Sequence, residues 1–214
     1  MQGCKVGRGE MSEIGQVEET VRSYLDIEFP LVGIQFLMEE VESDHPPGQY
    51  TFCQFVRMAL EERREFVITG GDLSCPSAEL ALGFREPKYV EVEPRIRKPV
   101  RAVRIGPLEG ADVVLMVLNP HQVMALAILL GGIKAEFRGE MALCGEAVAQ
   151  VYNTGQPNVS FLCQGARELG GFGTYELVVG LPYETVLQLP ERMTKFASLK
   201  TALQGKMAQL LRRF

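Results

Sequence analysis

The sequence predicts an α/β or α+β fold built of two pseudo-twofold-related halves, each a sheet segment flanked by helices, with a long C-terminal helix. Three observations carry this prediction. Segments of helical periodicity alternate with short apolar, β-prone runs through most of the 214 residues. One stretch is written twice: Cys53–Phe84 and Cys144–Phe172 each open with a cysteine, run into a helical pattern, break, and reach a second cysteine after a short apolar run. From that second cysteine the copies align without a gap, CPSAELALGF (75–84) against CQGARELGGF (163–172). Finally, residues 191–213 carry an apolar stripe of Met193, Phe196, Leu199, Leu203, Met207 and Leu210 at helical spacing, suited to core or to a dimer contact.

Composition bounds the answer. With 46% hydrophobic and 23% charged residues the chain is an ordinary globular one, long enough to bury a core without staples. A net charge of −5 argues against general nucleic-acid affinity. The start MQGCKVGRGE has no apolar central run, so secretion is not expected; a better helical pattern follows Met11, so residues 1–11 read as a flexible leader, with Met1 and Met11 both candidate starts. The most apolar region, 111–133, is divided by Asn119-Pro120-His121-Gln122 and reads as two core elements rather than a membrane span. A cytoplasmic setting is the expectation, and there the five cysteines are thiols, ligands or core residues rather than structural disulfides.

Residues 12–214 form one domain of two halves, about 30–110 and 111–182, followed by the 191–213 helix. In chain order, Ile14, Val17, Val21 and Leu25 line one face of a helix over 12–26, capped by Ser12. Residues 31–38, LVGIQFLM, read as a buried strand, and 39–50 as a polar loop. Thr51 caps a helix to about Arg64, with Cys53, Val56 and Leu60 on one side. Phe66–Thr69 is a strand, Gly70-Gly71-Asp72 a turn, and Pro76 opens a short helix that stops at Gly83. KYVEVEP (88–94) and PVRAVRIGP (99–107) read as strands or edge segments. Their basic run of Arg95, Arg97, Lys98, Arg101 and Arg104 suits a solvated edge, with an anion site as the sharper alternative.

Residues 111–118 form a buried strand, and Asn119 caps a helix over 120–130 that Gly131-Gly132 ends. Ile133–Phe137 is a short strand, 140–153 the second cysteine-led helix, and Val159–Leu162 a strand with Cys163 at its exit. A glycine bend at 170–173 leads to a strand over 176–181.

If the halves pack about a common axis, Cys53, Cys75, Cys144 and Cys163 converge. The amide groups at helix starts favour thiolate, the form that binds metal or attacks electrophiles. Four such thiolates suit a [4Fe-4S] cluster or a closed zinc site. Zinc fits less well, because the C-x-x-C knuckles are missing and only two histidines exist. Cys4 belongs to no pair. The competing reading is that buried cysteines pack as small hydrophobes and that a duplication copies them, with no cofactor at all. A third reading is a small-molecule enzyme using one activated thiol, at Cys75 or its twin Cys163. A fourth is a non-catalytic dimeric module binding a small-molecule ligand. No catalytic triad, Walker loop, H-E-x-x-H or dinucleotide fingerprint favours a named reaction, so whether the chain is an enzyme stays open.

The pieces LVGIQFL, CQFVRMA, CPSAELALGF, VLNPHQVMAL, CGEAVAQVYNTGQPNVSFLCQGAR and ELVVGLP, in that order, resemble the archaeal cysteine-rich family called domain of unknown function 169. The resemblance covers about residues 15–190. Its most specific parts are the Asn-Pro-x-Gln helix start and the N-V-S-x-x-C-x-G-x-R segment. The family usually carries an acidic residue where this chain has His121. The resemblance implies a prokaryotic cytoplasmic protein and brings no established activity. Cys53, Cys75, Cys144 and Cys163 match it and Cys4 does not. Arg167 also matches, and is expected to neutralise a thiolate-rich or anionic site or to line a pocket between the halves.

Overall fold

A computed structural model describes residues 12–43, 45–86, 88, 93–135 and 143–211. The leader at 1–11, most of the 88–94 segment, Glu136 and Phe137 of the expected 133–137 strand, and 140–142 of the expected 140–153 helix lie outside them.

Helix α1 (Glu13–Leu25) precedes the first half. Ser12 accepts a hydrogen bond from the Gly15 amide, satisfying one of the orphan donors of the first turn. Strand β1 (Val32–Leu37) follows. Helix α2 (Phe52–Glu62) starts in a capping box: the Thr51 hydroxyl accepts from the Gln54 amide, and the Gln54 side chain accepts from the Thr51 amide. After β2 (Phe66–Ile68) comes a single 3-10 turn at Gly70–Asp72 and helix α3 (Pro76–Ala81), with Pro76 at its first position. Strand β3 (Ala102–Gly106) closes the half.

The second half runs β4 (Val113–Leu118), α4 (Pro120–Leu130), α5 (Leu143–Thr154), β5 (Asn158–Ser160), α6 (Gln164–Glu168) and β6 (Leu177–Pro182). Helix α7 (Tyr183–Leu211) ends the described chain.

All strand pairs are antiparallel, which makes the fold α+β. The sheet order is β2-β3-β1-β4-β6-β5, a palindrome about the seam between β1 and β4. The register repeats as well. Gly33 pairs with Gly106 as Val114 pairs with Leu181, and Phe66 pairs with Ile105 as Asn158 pairs with Gly180. The duplication read from two cysteine segments therefore extends to the whole β-α-β-α-β unit, with α4 inserted after the first strand of the second copy.

Helices cover the two faces of the sheet unequally. One core joins Ile34 and Phe36 of β1, Val103 and Ile105 of β3, and Leu115 and Val117 of β4 to Phe55, Val56, Leu82, Val148 and Val151 from α2, α3, α5 and their flanks. The opposite face holds Val114, Met116 and Leu118 of β4 and Val179 and Leu181 of β6 against α1, α4 and α7. Strand β4 is consequently buried at every position, whereas β1 alternates towards its end and presents Gln35 to Arg104. The continuous apolar run at 111–118 and the charged alternation at 101–104 are the sequence images of that difference.

Several sequence expectations change. The C-terminal helix starts at Tyr183, eight residues before the expected Glu191, and Pro190 lies inside it. A proline is the ordinary reason to begin a helix after it, because it removes one amide donor and crowds the carbonyl four residues back. Here the buried Val186, Leu189 and Met193 hold the turns on both sides of Pro190 against the second core. Residues 133–135 are not in a strand. Conversely, the helix α6 after Cys163 was not expected, because that copy lacks the proline that marks α3.

The chain leaving β3 leaves no room for a side chain at Gly33 of β1, where an added Cβ would sit 1.8 Å from the Pro107 carbonyl oxygen. Gly33→Ala is expected to cost at least about 3 kcal/mol in chemical denaturation, because backbone must move. Gly48→Ala, at φ +64 with open space around it, should cost only about 1 kcal/mol. Equal effects would contradict the packing described.

Candidate functional site: cysteines at the seam

The duplicated topology brings the starts of equivalent helices to one place. Cys53 lies in the first turn of α2 and Cys144 in the first turn of α5, while Cys75 and Cys163 are the N-cap residues of α3 and α6. All four are free thiols. Cys53 and Cys144 are buried and belong to the same core, and Cys75 and Cys163 pack partly exposed against it.

Cys144 is the main influence on the Cys53 thiol from across the two halves. Cys75 lies near enough to feel the charge of both Cys53 and Cys163. The result is a buried inner pair and a partly exposed outer pair on one core. Among the described residues, no group of three or more histidine, cysteine, aspartate or glutamate side chains is arranged to hold a metal ion. The four thiols share one core without forming a finished ligand cage.

The hydrogen bond to Cys144, then burial, then the Cys144 charge push the Cys53 thiol well above its ordinary value of 9.0. Burial is also the main cause raising Cys75, with the charges of Cys53 and Cys163 adding to it. The amides of Ala78 and Ser77 at the start of α3 pull the other way. Helix starts alone therefore do not activate Cys75. Desolvation and like charge outweigh them.

The loop after α6 closes this region. Gly170 packs its backbone against Cys53, so that a Cβ added there would lie 3.2 Å from the Cys53 Cβ and 2.5 Å from the Ala166 oxygen. Leu162, immediately before Cys163, adopts φ +61, and its amide donates to the Ser160 hydroxyl at 3.1 Å. Arg167 donates to the carbonyl oxygens of Phe161 at 2.9 Å, Gly173 and Glu176 at 3.4 Å. Its guanidinium thus fastens the segments on either side of α6. The cavities of about 380 Å³ at Glu18, Arg63 and Glu65 and of about 230 Å³ at Phe29, Val117 and Gln122 are not lined by Arg167 or by any cysteine.

Other residues here escaped the sequence reading. Arg57, one turn beyond Cys53, stacks over Phe29 at 4.4 Å and faces Phe172 at 5.5 Å, while pairing with Glu61 at 2.7 Å and Glu176 at 3.2 Å. It ties α2 to the loop that holds Phe172 near the inner thiols. The Arg57–Glu61 spacing was visible in the sequence. Glu176, 119 residues away, was not a foreseeable partner. Glu146 is fully buried two residues after Cys144, where helical periodicity gave no warning. By contrast, the Asn-Pro-x-Gln motif is structural. Asn119 and Gln122 form a capping box, Gln122 reaches the Asp26 carbonyl at 2.5 Å, and His121 between them is exposed. Most of the described basic run is paired. Arg95 and Arg97 meet Glu93, Arg104 meets Glu65 at 3.0 Å, and Lys98 sits over Tyr152.

The raised Cys53 value has a consequence for stability. The folded state keeps this proton at pH values where the unfolded chain, near 9.0, has released it. The contribution is therefore full below about pH 9 and is lost as pH rises towards the folded value. Denaturation of metal-free protein under reducing conditions should show stability falling above pH 9, with a shallower fall in Cys53→Ser. Parallel curves would contradict the thiol pairing.

No helix among the described residues is long and apolar enough to cross a membrane. The family model of DUF169, described as "Uncharacterised ArCR", matches residues 20–94 and 87–192. A protein of Methanocaldococcus jannaschii named "Uncharacterized protein MJ0308" is 25% identical over 231 residues, covering 90% of this chain and 98% of its own. No solved structure matches. With matches across both cysteine-led segments and both halves of the sheet, the chain belongs to the DUF169 family.

Proposed function

We propose that Cys53, Cys75, Cys144 and Cys163 form one thiolate site that takes up a soft metal species, a [4Fe-4S] cluster before zinc, in a cytoplasmic protein. The observation that supports this most is the gathering of all four thiols on one core, Cys53 and Cys144 buried in it and Cys75 and Cys163 packed against it, with Cys75 feeling the charge of both Cys53 and Cys163. Grouped thiols without a cation resist ionisation, as the raised Cys53 and Cys75 values express. A bound cation reverses that balance and draws the thiolates together. The partly exposed outer pair, at the caps of the short helices α3 and α6, is the part that closes inward to complete the ligand set. Arg167 acts by holding the α6 segment that carries Cys163.

An enzyme working through one activated thiol at Cys75 or Cys163 fits less well, because the Cys75 thiol is pushed up rather than down. For a dimeric module binding a small molecule, the outward Met124 and Ile128 of α4 offer an apolar face, without indicating what covers it.

Anaerobic reconstitution with ferrous iron and sulfide tests the reading. Broad visible absorption with stoichiometric iron and sulfide is expected. Each single Cys→Ser variant should weaken uptake by at least about tenfold, the scale that loss of a mere outer-shell partner produces. Failure to take up iron or zinc under these conditions would overturn it.

A further inference from the structure

Among the described residues of the basic run, Arg101 is the one without a close partner. Its side chain is 57% exposed, and the carboxylate that meets it, Glu40, is 4.0 Å away on a side chain 88% exposed. A contact of that kind holds a guanidinium weakly. The Arg101 backbone, by contrast, is fixed, because its amide donates to the Leu37 carbonyl at 2.9 Å beside the β1–β3 ladder.

Arg101 lines a cavity of about 340 Å³ together with Arg85, Glu79, Phe84, Gly70 and Gly71. Arg85 is held at this cavity by Glu79 of α3, at 2.7 Å. The glycine wall is a braced turn. The buried Asp72 carboxylate accepts from the Thr69 amide at 2.6 Å and from its hydroxyl at 3.0 Å, and the Gly48 amide donates to the Gly71 carbonyl at 2.9 Å. Gly70 runs so close to Phe84 that an added Cβ would stand 2.9 Å from the Phe84 Cβ, so this wall is bare backbone. On its other side Arg101 borders a second space of about 520 Å³, lined also by Glu40, Glu42 and Thr69.

We propose that the cavity binds the phosphate group of a small hydroxylated molecule, a sugar phosphate, between Arg85 and Arg101. Two guanidinium forks match the double charge and the several oxygens of a phosphate monoester, and Glu79 is the one carboxylate in the lining to set against them. Beyond Arg101 the balance reverses. Glu40 and Glu42 repel a second anionic group and accept hydrogen bonds from hydroxyls, which selects a neutral polyol for the rest of the ligand. The lining of both spaces contains no cysteine, so this site stands apart from the metal reading.

Isothermal titration calorimetry on the full-length protein tests it, with glucose 6-phosphate and inorganic phosphate as probes, at low ionic strength because salt screens exposed arginines. Saturable binding of glucose 6-phosphate is expected, tighter than that of inorganic phosphate. Arg101→Gln and Arg85→Gln should each weaken it at least about tenfold, the scale of one lost charge-assisted hydrogen bond. Arg97→Gln removes the same charge from a side chain 72% exposed and outside the cavity, and should leave affinity within about twofold. Absence of saturable binding up to roughly 10 mM, beyond the weak end of specific affinities, would overturn the site. So would unchanged affinity in Arg101→Gln, or an equal loss in Arg97→Gln. Tighter binding of inorganic phosphate than of glucose 6-phosphate would overturn the sugar phosphate as its ligand.

Discussion

The pairing of β1 with β4 is the constraint on which the remaining architecture depends. It is short, with Val32, Gly33 and Ile34 against Leu115, Val114 and Val113, and it joins the two copies of the repeated unit. An added side chain at Gly33 would drive into the Pro107 carbonyl. The β1–β4 ladder joins the sheets of both halves into one, and the crowding at Gly33 fixes how β1 lies against the end of β3 beside it. Because the sheet is palindromic about this pair, equivalent helices of the two halves share one face. Their first turns meet.

The thiol arrangement is a consequence of that meeting. Cys53 and Cys144 share one core because α2 and α5 hold the same place in each copy. Cys75 and Cys163 flank them because α3 and α6 do as well. Two kinds of contact keep the arrangement in place: Arg57 binds α2 to Glu176 and Phe172, and Arg167 binds the carbonyls around α6. Neither cation is spent on a thiolate. Without a cation nearby, the Cys53 and Cys75 thiols are pushed up by burial and by their cysteine neighbours, a condition that favours an incoming cation.

Much of the fold could be read from the residues. Caps with a side-chain mechanism placed α1, α2 and α4 to within a residue or two: Ser12, Thr51 and Asn119 each bond the amide expected of them. The copied cysteine segments pointed to two halves, and the palindromic sheet has that form. What failed has physical causes. Pro190 sits within α7 because buried neighbours outweigh its missing donor, a tertiary effect that local rules do not contain. Helix α6 carries no proline and two glycines around it, so nothing local marked it. At the site, the candidate cysteines were legible through the repeat, whereas Arg57, Glu146 and Glu176 owe their places to long-range packing. Arg167 was noticed through family resemblance, and its three carbonyl partners make it a fastener of the α6 segment.

The central claim is that duplication brings four sulfurs to one seam. Anomalous diffraction at long wavelength from crystals of reduced protein, which locates sulfur atoms directly, tests it most plainly. The account predicts the Cys53 and Cys144 sulfurs in contact at the joined starts of α2 and α5, with the Cys75 and Cys163 sulfurs immediately beside them. Sulfur peaks of Cys53 and Cys144 separated by intervening aliphatic side chains would contradict it.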